Sequence, residues 1–457
     1  MTPDKKINKL PNLTLDPVYQ LFIKIAIPSS IGTIFQTLYS IVDTYFAGTI
    51  SSEALAAIGQ TFPVYFIIIA VGVGLSIGTS ALVANHLGSK EEIIASSYFC
   101  QSILLALITA IFMTFIGINF SPIIILSINN NLTSLSLSME YLNIIFSGSV
   151  FIFLLMSLNS SLSAQGDTKS YRNILIFSFI LNIILNPILI SGYILNFQIL
   201  PAFGIKGIAI STIISQIIGI IYLLFKLSKT VIYKKIKKNF FYPNLILINK
   251  LLSQGIPASI GMLMISIGYY FILFFVGKFG DLAIAGYGAA IRYEQLFLLP
   301  LLGLNTAMIS MVGQNFGAEN INRVKEIYIK GILIGCSILF IFSFLMYFTS
   351  EWAMNFFTED QIVIDFGTTY LKIISFMLPI YPFFFISNGF FQGLKKPLIV
   401  MYVLLFRLVI MPFIILWVLI IYLNYDYPII FWSLVIINWF LGILYYFFTR
   451  YNFMKKL

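Results

Sequence analysis

Twelve apolar runs divide the chain, at residues 18–46, 54–82, 93–116, 139–163, 173–193 and 207–225, and again at 251–277, 283–312, 327–348, 367–390, 398–421 and 429–448. Each comes close to or exceeds the roughly 20 residues that an α-helix needs to cross the hydrocarbon of a bilayer. None has the short alternating pattern of a membrane β-barrel strand, so the backbone must satisfy its hydrogen bonds within helices. The pattern predicts an all-α polytopic membrane protein with twelve transmembrane helices.

The second six runs repeat the first six. Ile27-Pro28-Ser29-Ser30-Ile31-Gly32 returns as Ile256-Pro257-Ala258-Ser259-Ile260-Gly261, an offset of 229 residues. At that same offset Phe46, Gly48, Gly59, Gly74 and Gly88 meet Phe275, Gly277, Gly288, Gly303 and Gly317, and Tyr141 and Asn159 meet Tyr370 and Asn388. Register held this long means duplication, and two membrane repeats with a site between them are a transporter's architecture. The expected organisation is an N-terminal six-helix lobe at 1–225, a basic linker at 226–250 and a C-terminal six-helix lobe at 251–457. Six helices per half give both halves one orientation, so the lobes are related by a pseudo-twofold axis along the membrane normal.

Composition agrees that lipid is the solvent: the chain is 59% hydrophobic and 10% charged, more apolar than a water-soluble domain of this size carries. Charge adds orientation. With the N-terminus inside, only Lys206, Lys278, Arg292, Lys372 and Arg407 of the 27 lysines and arginines fall outside the inner segments, while Glu53, Glu140, Asp281, Glu351, Glu359, Asp360, Asp365 and Asp426 lie in the outer ones. Positive loops stay cytoplasmic, so both termini are expected in the cytoplasm and the protein in a bacterial inner membrane. The net charge of +10 is spread over many short loops, as topology and an anionic leaflet require, and does not indicate nucleic acid. Met1 to Asp16 carries charges without an apolar core, so the first helix acts as insertion signal. Cys100 and Cys336 read as small core residues rather than a disulfide, and His86 as a residue of an inner loop. Asn131-Leu132-Thr133 matches a glycosylation triplet, a common chance occurrence.

Ionisable groups inside a membrane helix are costly and mark function unless paired. Asp43 is the sharpest, in Ile41-Val42-Asp43-Thr44-Tyr45 with no cationic neighbour in sequence. A buried carboxyl there can exchange a proton or stay ionised with Na⁺ as its partner. Asn182 and Asn186 stand four apart and share one helix face, and Pro187 beside them frees a carbonyl and favours a bend. They could face Asp43, or simply glue helices together. Asn159, Tyr141, Thr212 and Gln216 are weaker polar candidates. In the second half Glu294, Arg292, Arg407 and Lys372 form a candidate charge network, in which Glu294 is expected to pair with Arg407 or Lys372, and a lobe-stabilising ion pair is the plainer reading. The 45 Phe, 26 Tyr and 14 Met would suit flat, cationic, amphiphilic ligands where they line a cavity. No metal-ligand cluster, phosphate-cradling loop or nucleophile motif is present, so the energy source is expected to be an ion gradient.

With Ile27-Pro28 and Gly32, Val42-Asp43-Thr44 and Gly48, Gln165-Gly166-Asp167-Thr168, Asn182 to Pro187, Gly204 to Thr212 and Val312 to Ala318, nearly the whole chain resembles the multidrug and toxic compound extrusion (MATE) family. The resemblance implies two six-helix lobes, a central cleft and alternating access driven by Na⁺ or H⁺, with no other cofactor. It places Asp43 on the family's coupling aspartate and Tyr141, Asn159, Asn182 and Asn186 around it, with Thr212 a looser match. Two departures stand out: Asn186 replaces an aspartate frequent in DinF-like relatives, and Gly255 to Gly277 and Tyr370 to Gln392 lack the acids of NorM-like ones. The expected activity is therefore cation-coupled antiport of small organic compounds by a monomer in the bilayer. A flippase for lipid-linked oligosaccharides is the alternative and would need a cationic cleft; a membrane receptor or enzyme would need a catalytic cluster or sensing domain.

Overall fold

The computed structural model describes residues 10–128, 132–194 and 197–454. Lys5, Lys6, Lys9, Lys455 and Lys456 and the Asn131 triplet's acceptor lie outside the described residues. Among the described residues, ten helices are long and apolar enough to cross a membrane: Val18–Ile50, Ser52–Gly88, Glu92–Leu126, Lys169–Ser191, Ile205–Leu227, Leu245–Phe279, Asp281–Gly317, Ile321–Phe357, Pro397–Tyr422 and Tyr427–Asn452. Two bent pairs complete the set of twelve, Thr133–Ser147 with Ser149–Ala164 at 48° and Gln361–Ser375 with Leu378–Gly393 at 41°. These twelve are numbered here as spans in chain order. Most overrun the predicted runs, although span 1 starts where predicted and span 5 ends two residues early, and polar caps set some of the starts. Ser51 accepts from the Ala54 amide at 3.1 Å, and Asp360 accepts from the Ile362 amide at 2.9 Å, each occupying a donor left open in a first helical turn.

The bends of spans 4 and 10 were not legible as breaks in the apolar runs. Gly148 starts the second half of span 4, and a side chain there would strike Ile213 of span 6. Span 10 breaks at Leu378–Ile380, where Pro379 has no N–H to continue the ladder. Pro187 behaves otherwise, sitting inside a helix that runs unbroken from Lys169 to Ser191. His86 belongs to the last turn of span 2 rather than to a loop, because Ser89 closes the helix only beyond it. Cys100 and Cys336 are free thiols.

Packing divides the described residues into two compact units, one within 10–11 and 31–259, the other within 12–30 and 260–454. Besides the change between Pro11 and Asn12 ahead of span 1, the chain changes unit twice within spans, each time inside the repeated motif, between Ser30 and Ile31 and between Ser259 and Ile260. The halves of the sequence and the packed units thus differ by two exchanged half-helices. In the first unit a Cβ on Gly74 of span 2 would collide with Ser259 Oγ and the Gly255 carbonyl of span 7; in the second, one on Gly303 of span 8 would collide with Ser30 Oγ and the Ala26 carbonyl of span 1. Only glycine allows backbones to approach this closely, a device common between membrane helices. The backbone keeps the repeat as well: Lys90 and Glu319 have φ of 61° and 58°, and Gly166 and Lys395 have 84° and 60°, each pair one repeat apart.

Span 6 ends at Leu227 and span 7 begins at Leu245, so the connection is shorter than the predicted linker. It is tied to span 3. Ser96 Oγ donates to the Ile232 carbonyl at 2.7 Å. Gln101 Nε2 donates to the carbonyls of Phe240 at 2.6 Å and Tyr242 at 2.8 Å, and its Oε1 accepts from the Asn244 amide at 3.0 Å. Outward faces of the spans are apolar, as at Ile111, Phe115 and Phe348, all well exposed, which places lipid against them.

Candidate functional site

Asp43 and Glu294 are the only buried carboxyl groups among the described residues, one in each unit. Asp43 lies on span 1 beyond Pro28. Its Oδ1 accepts from Asn182 Nδ2 at 2.9 Å and from Asn186 Nδ2 at 3.0 Å. Helical spacing puts both amides on one face of span 5, and they are linked to each other, Asn186 Nδ2 donating to Asn182 Oδ1 at 3.0 Å. Both asparagines are fully buried. Asn186 Oδ1 has no hydrogen-bond partner among the described residues, an oxygen lone pair left open beside the acid. Thr212 of span 6 lies near the same carboxyl, its own hydroxyl donating to the Ile208 carbonyl at 3.2 Å.

Tyr39 stands one turn before Asp43 and donates to Thr212 Oγ1 at 3.0 Å. Tyr39, Tyr65 and Tyr141 all lie within electrostatic range of the acid. No lysine or arginine forms an ion pair with Asp43 among the described residues. Neutral dipoles alone support its charge, and in low dielectric that is incomplete compensation. The site is chemically an oxygen-rich cluster with one acid and no protein cation among the described residues, suited to a proton or a small hard cation.

The second unit is built differently. Glu294 of span 8 accepts from the hydroxyl groups of Tyr370 and of Tyr381, the latter at 3.0 Å. Arg407 does not reach the carboxyl directly, contrary to the ion pair expected from sequence. Its guanidinium carbon lies 3.8 Å from the Phe384 ring centre and 5.0 Å from that of Tyr381, and Nε donates to Asn438 Oδ1 at 2.6 Å. Tyr381 therefore serves both charges, its hydroxyl bound to the acid and its ring under the cation. Arg407 remains near enough to act on Glu294 electrostatically.

Not every candidate joins these clusters. Asn159 is half-buried and accepts from Ser163 Oγ on its own helix at 3.3 Å. Arg292 is exposed and Lys372 half-buried, and neither bonds to Glu294. Tyr39 and Tyr65 were missed as candidates. The spacing of four between Tyr39 and Asp43 could have found the first; Tyr65, on another helix, had no such signal. No group of His, Cys, Asp and Glu among the described residues could hold a metal ion by itself.

A model of the MatE family matches residues 28–188 and again 257–418, two copies that begin at Pro28 and at Pro257. The chain belongs to the MatE family. The multidrug export protein MepA of Staphylococcus aureus is 26% identical over 383 residues, 82% of each chain. A protein named FAD transporter from Shewanella oneidensis is 26% identical over 367 residues, 78% of each. Among solved structures, an outward-facing multidrug resistance MATE transporter of the MOP superfamily superposes with a TM-score of 0.89 at 24% identity, covering 99% of this chain and 100% of its own. A MOP superfamily transporter from Pyrococcus furiosus gives the same score at 23% identity over 99% and 100%. This MatE family member is thus a multi-pass membrane protein with the twelve-helix, two-lobe MATE fold.

Proposed function

We propose that the protein is a secondary active transporter that exports organic cationic or amphiphilic molecules in exchange for Na⁺ or H⁺. The observation that carries this reading is Asp43, buried with amides and hydroxyls around it and no protein cation. Such a carboxylate gains more from an incoming ion than a paired one does. For Na⁺ the available oxygens are the carboxylate, Asn186 Oδ1 and Thr212 Oγ1. For H⁺ the carboxyl itself is the site, and protonation turns one of its acceptors into a donor.

Either event alters the hydrogen bonds that hold span 1 to span 5. Span 1 also carries the consequence onward, because residues 31–50 pack in the first unit and residues 12–30 in the second. Pro28, which leaves the Lys24 carbonyl without its helical donor, is where such a helix changes its bend at low cost. Ion and substrate then oppose one another through alternating access, and linkage requires the opposition to be mutual. The distribution of lysine and arginine supports both termini on the cytoplasmic side of a bacterial inner membrane.

The names of the relatives mark two substrate chemistries, drug-like compounds and an anionic dinucleotide. Purified protein in liposomes under an imposed Na⁺ or pH gradient, assayed with ethidium, with FAD and with a lipid-linked sugar, separates them. Gradient-driven ethidium movement is the expected outcome. Movement of FAD or of the lipid-linked sugar alone, or ethidium movement indifferent to both gradients, would overturn the reading.

A further inference from the structure

The connection between spans 6 and 7 has a chemistry that transport does not use. It carries Lys234, Lys235, Lys237 and Lys238 within five residues, and Lys250 follows on the first turns of span 7. Lys235 pairs with Glu92 at 3.6 Å; Lys234, Lys237, Lys238 and Lys250 have no ion pair among the described residues. Interleaved with them, Tyr233, Phe241, Tyr242, Leu245 and Ile246 expose between 46% and 78% of their surface. Lysines alternating with exposed aromatic and aliphatic side chains are what a segment lying in the headgroup region needs, its rings at the interface and its charges toward phosphate. The segment is not a loose loop, since Ser96 and Gln101 hold its backbone against span 3.

Beneath it is an open cavity of about 380 Å³, within the roughly 300–1,000 Å³ of ligand pockets. Ile93, Ile94, Tyr98, Phe240 and Leu247 make its walls mostly apolar, and Lys250 and His86 stand on its border. His86 is stacked on Tyr98 with ring centres 5.0 Å apart and bonded to Glu91 at 2.6 Å, so Lys250 is the cation at the border without an acidic partner. Ile93 and Ile94, which line the cavity, keep 48% and 39% of their surface exposed, so this apolar wall is accessible from outside the bundle. An apolar slot beside unpaired cations, at the level of a membrane surface, matches an amphiphile with an anionic head and an acyl chain. A soluble anion would use the lysines and leave the slot empty.

We infer that the connection and the cavity beneath it form a binding site for an anionic phospholipid of the adjoining leaflet, headgroup phosphate on Lys250 and the lysines of the connection, acyl chain along Ile93, Ile94, Phe240 and Leu247. This goes beyond transport and holds whatever the substrate or coupling ion is. Native mass spectrometry of the full-length protein tests it, with equal amounts of phosphatidylglycerol and phosphatidylcholine of identical chains. The expected result is at least a five-fold excess of phosphatidylglycerol adducts, lost when Lys234, Lys237, Lys238 and Lys250 are changed to glutamine and kept when Lys24, Lys169 and Lys325 are. Ser97→Phe, which fills the slot and leaves every lysine, is expected to remove the same adduct. Equal binding of the two lipids, an unchanged preference in the four-lysine variant, or competition by glycerophosphate as strong as by the lipid would overturn the inference.

Discussion

In the first unit Asp43 is held by two amides of span 5 and faces no protein cation, whereas in the second Glu294 is held by two phenols and lies in the field of Arg407. In the register of the repeat Asp43 corresponds to Ile272, Glu294 to Tyr65, and Tyr370 to Tyr141. Each lobe therefore keeps a tyrosine on its bent fourth helix near the acid, but the acid itself has moved from the first helix of one lobe to the second helix of the other. Burial is the same in both and compensation is not. A carboxylate with a cation nearby has part of its charge balanced within the protein; one with dipoles alone keeps more of it to offer an arriving ion. Under the proposed mechanism, the comparison separates a group that exchanges its partner from a group that keeps it.

The largest effect that could break this contrast is on transport. Asp43→Asn keeps the size and a carbonyl acceptor for the span 5 amides while removing the charge, and is expected to abolish gradient-driven ethidium efflux with the amount of inserted protein unchanged. Efflux to the wild-type end point would remove Asp43 from the mechanism. Glu294→Gln is expected to do the reverse, retaining gradient-driven efflux but costing about 2 kcal/mol of stability, since Tyr370 and Tyr381 then donate to a neutral amide instead of a charged carboxylate. A lowered thermal midpoint with preserved efflux fits the contrast; lost efflux with an unchanged midpoint would make the two acids alike. The smallest effect concerns the backbone that the repeats share. Lys395 adopts a left-handed conformation where its counterpart is Gly166, so Lys395→Gly is expected to stabilise by about 1 kcal/mol. A fall in the thermal midpoint would mean that the contact of Lys395 with the Phe316 ring outweighs the strain.

Much of this contrast could be read in the sequence, and the rest was hidden for definite reasons. Asn182 and Asn186 were recognisable as a pair because helical periodicity is local, and Asp43 because an acid within an apolar run stands out. Their meeting joins residues 139 and 143 positions apart, which no local pattern specifies. Glu294 was visible as a buried acid, yet its partners were misread. Charge suggested Arg407 or Lys372, while packing placed two phenols on the carboxyl and the ring of one of them, Tyr381, against Arg407. Arg292, two residues from Glu294, points to a different side of the helix, as spacing alone requires.

By itself the sequence determined what lipid and covalent order dictate: which segments cross the membrane, that six of them recur as six more, and which acid of each lobe lies deep within an apolar run. These follow from the cost of exposing backbone and charge to hydrocarbon, and that cost is paid residue by residue. Tertiary structure alone decided where the helices break at Gly148 and Pro379, which half of spans 1 and 7 packs with which unit, and what surrounds each acid. Those outcomes depend on close approach between side chains far apart in the chain, as at Gly74 and Gly303, and packing is a property of pairs of surfaces rather than of a run of residues.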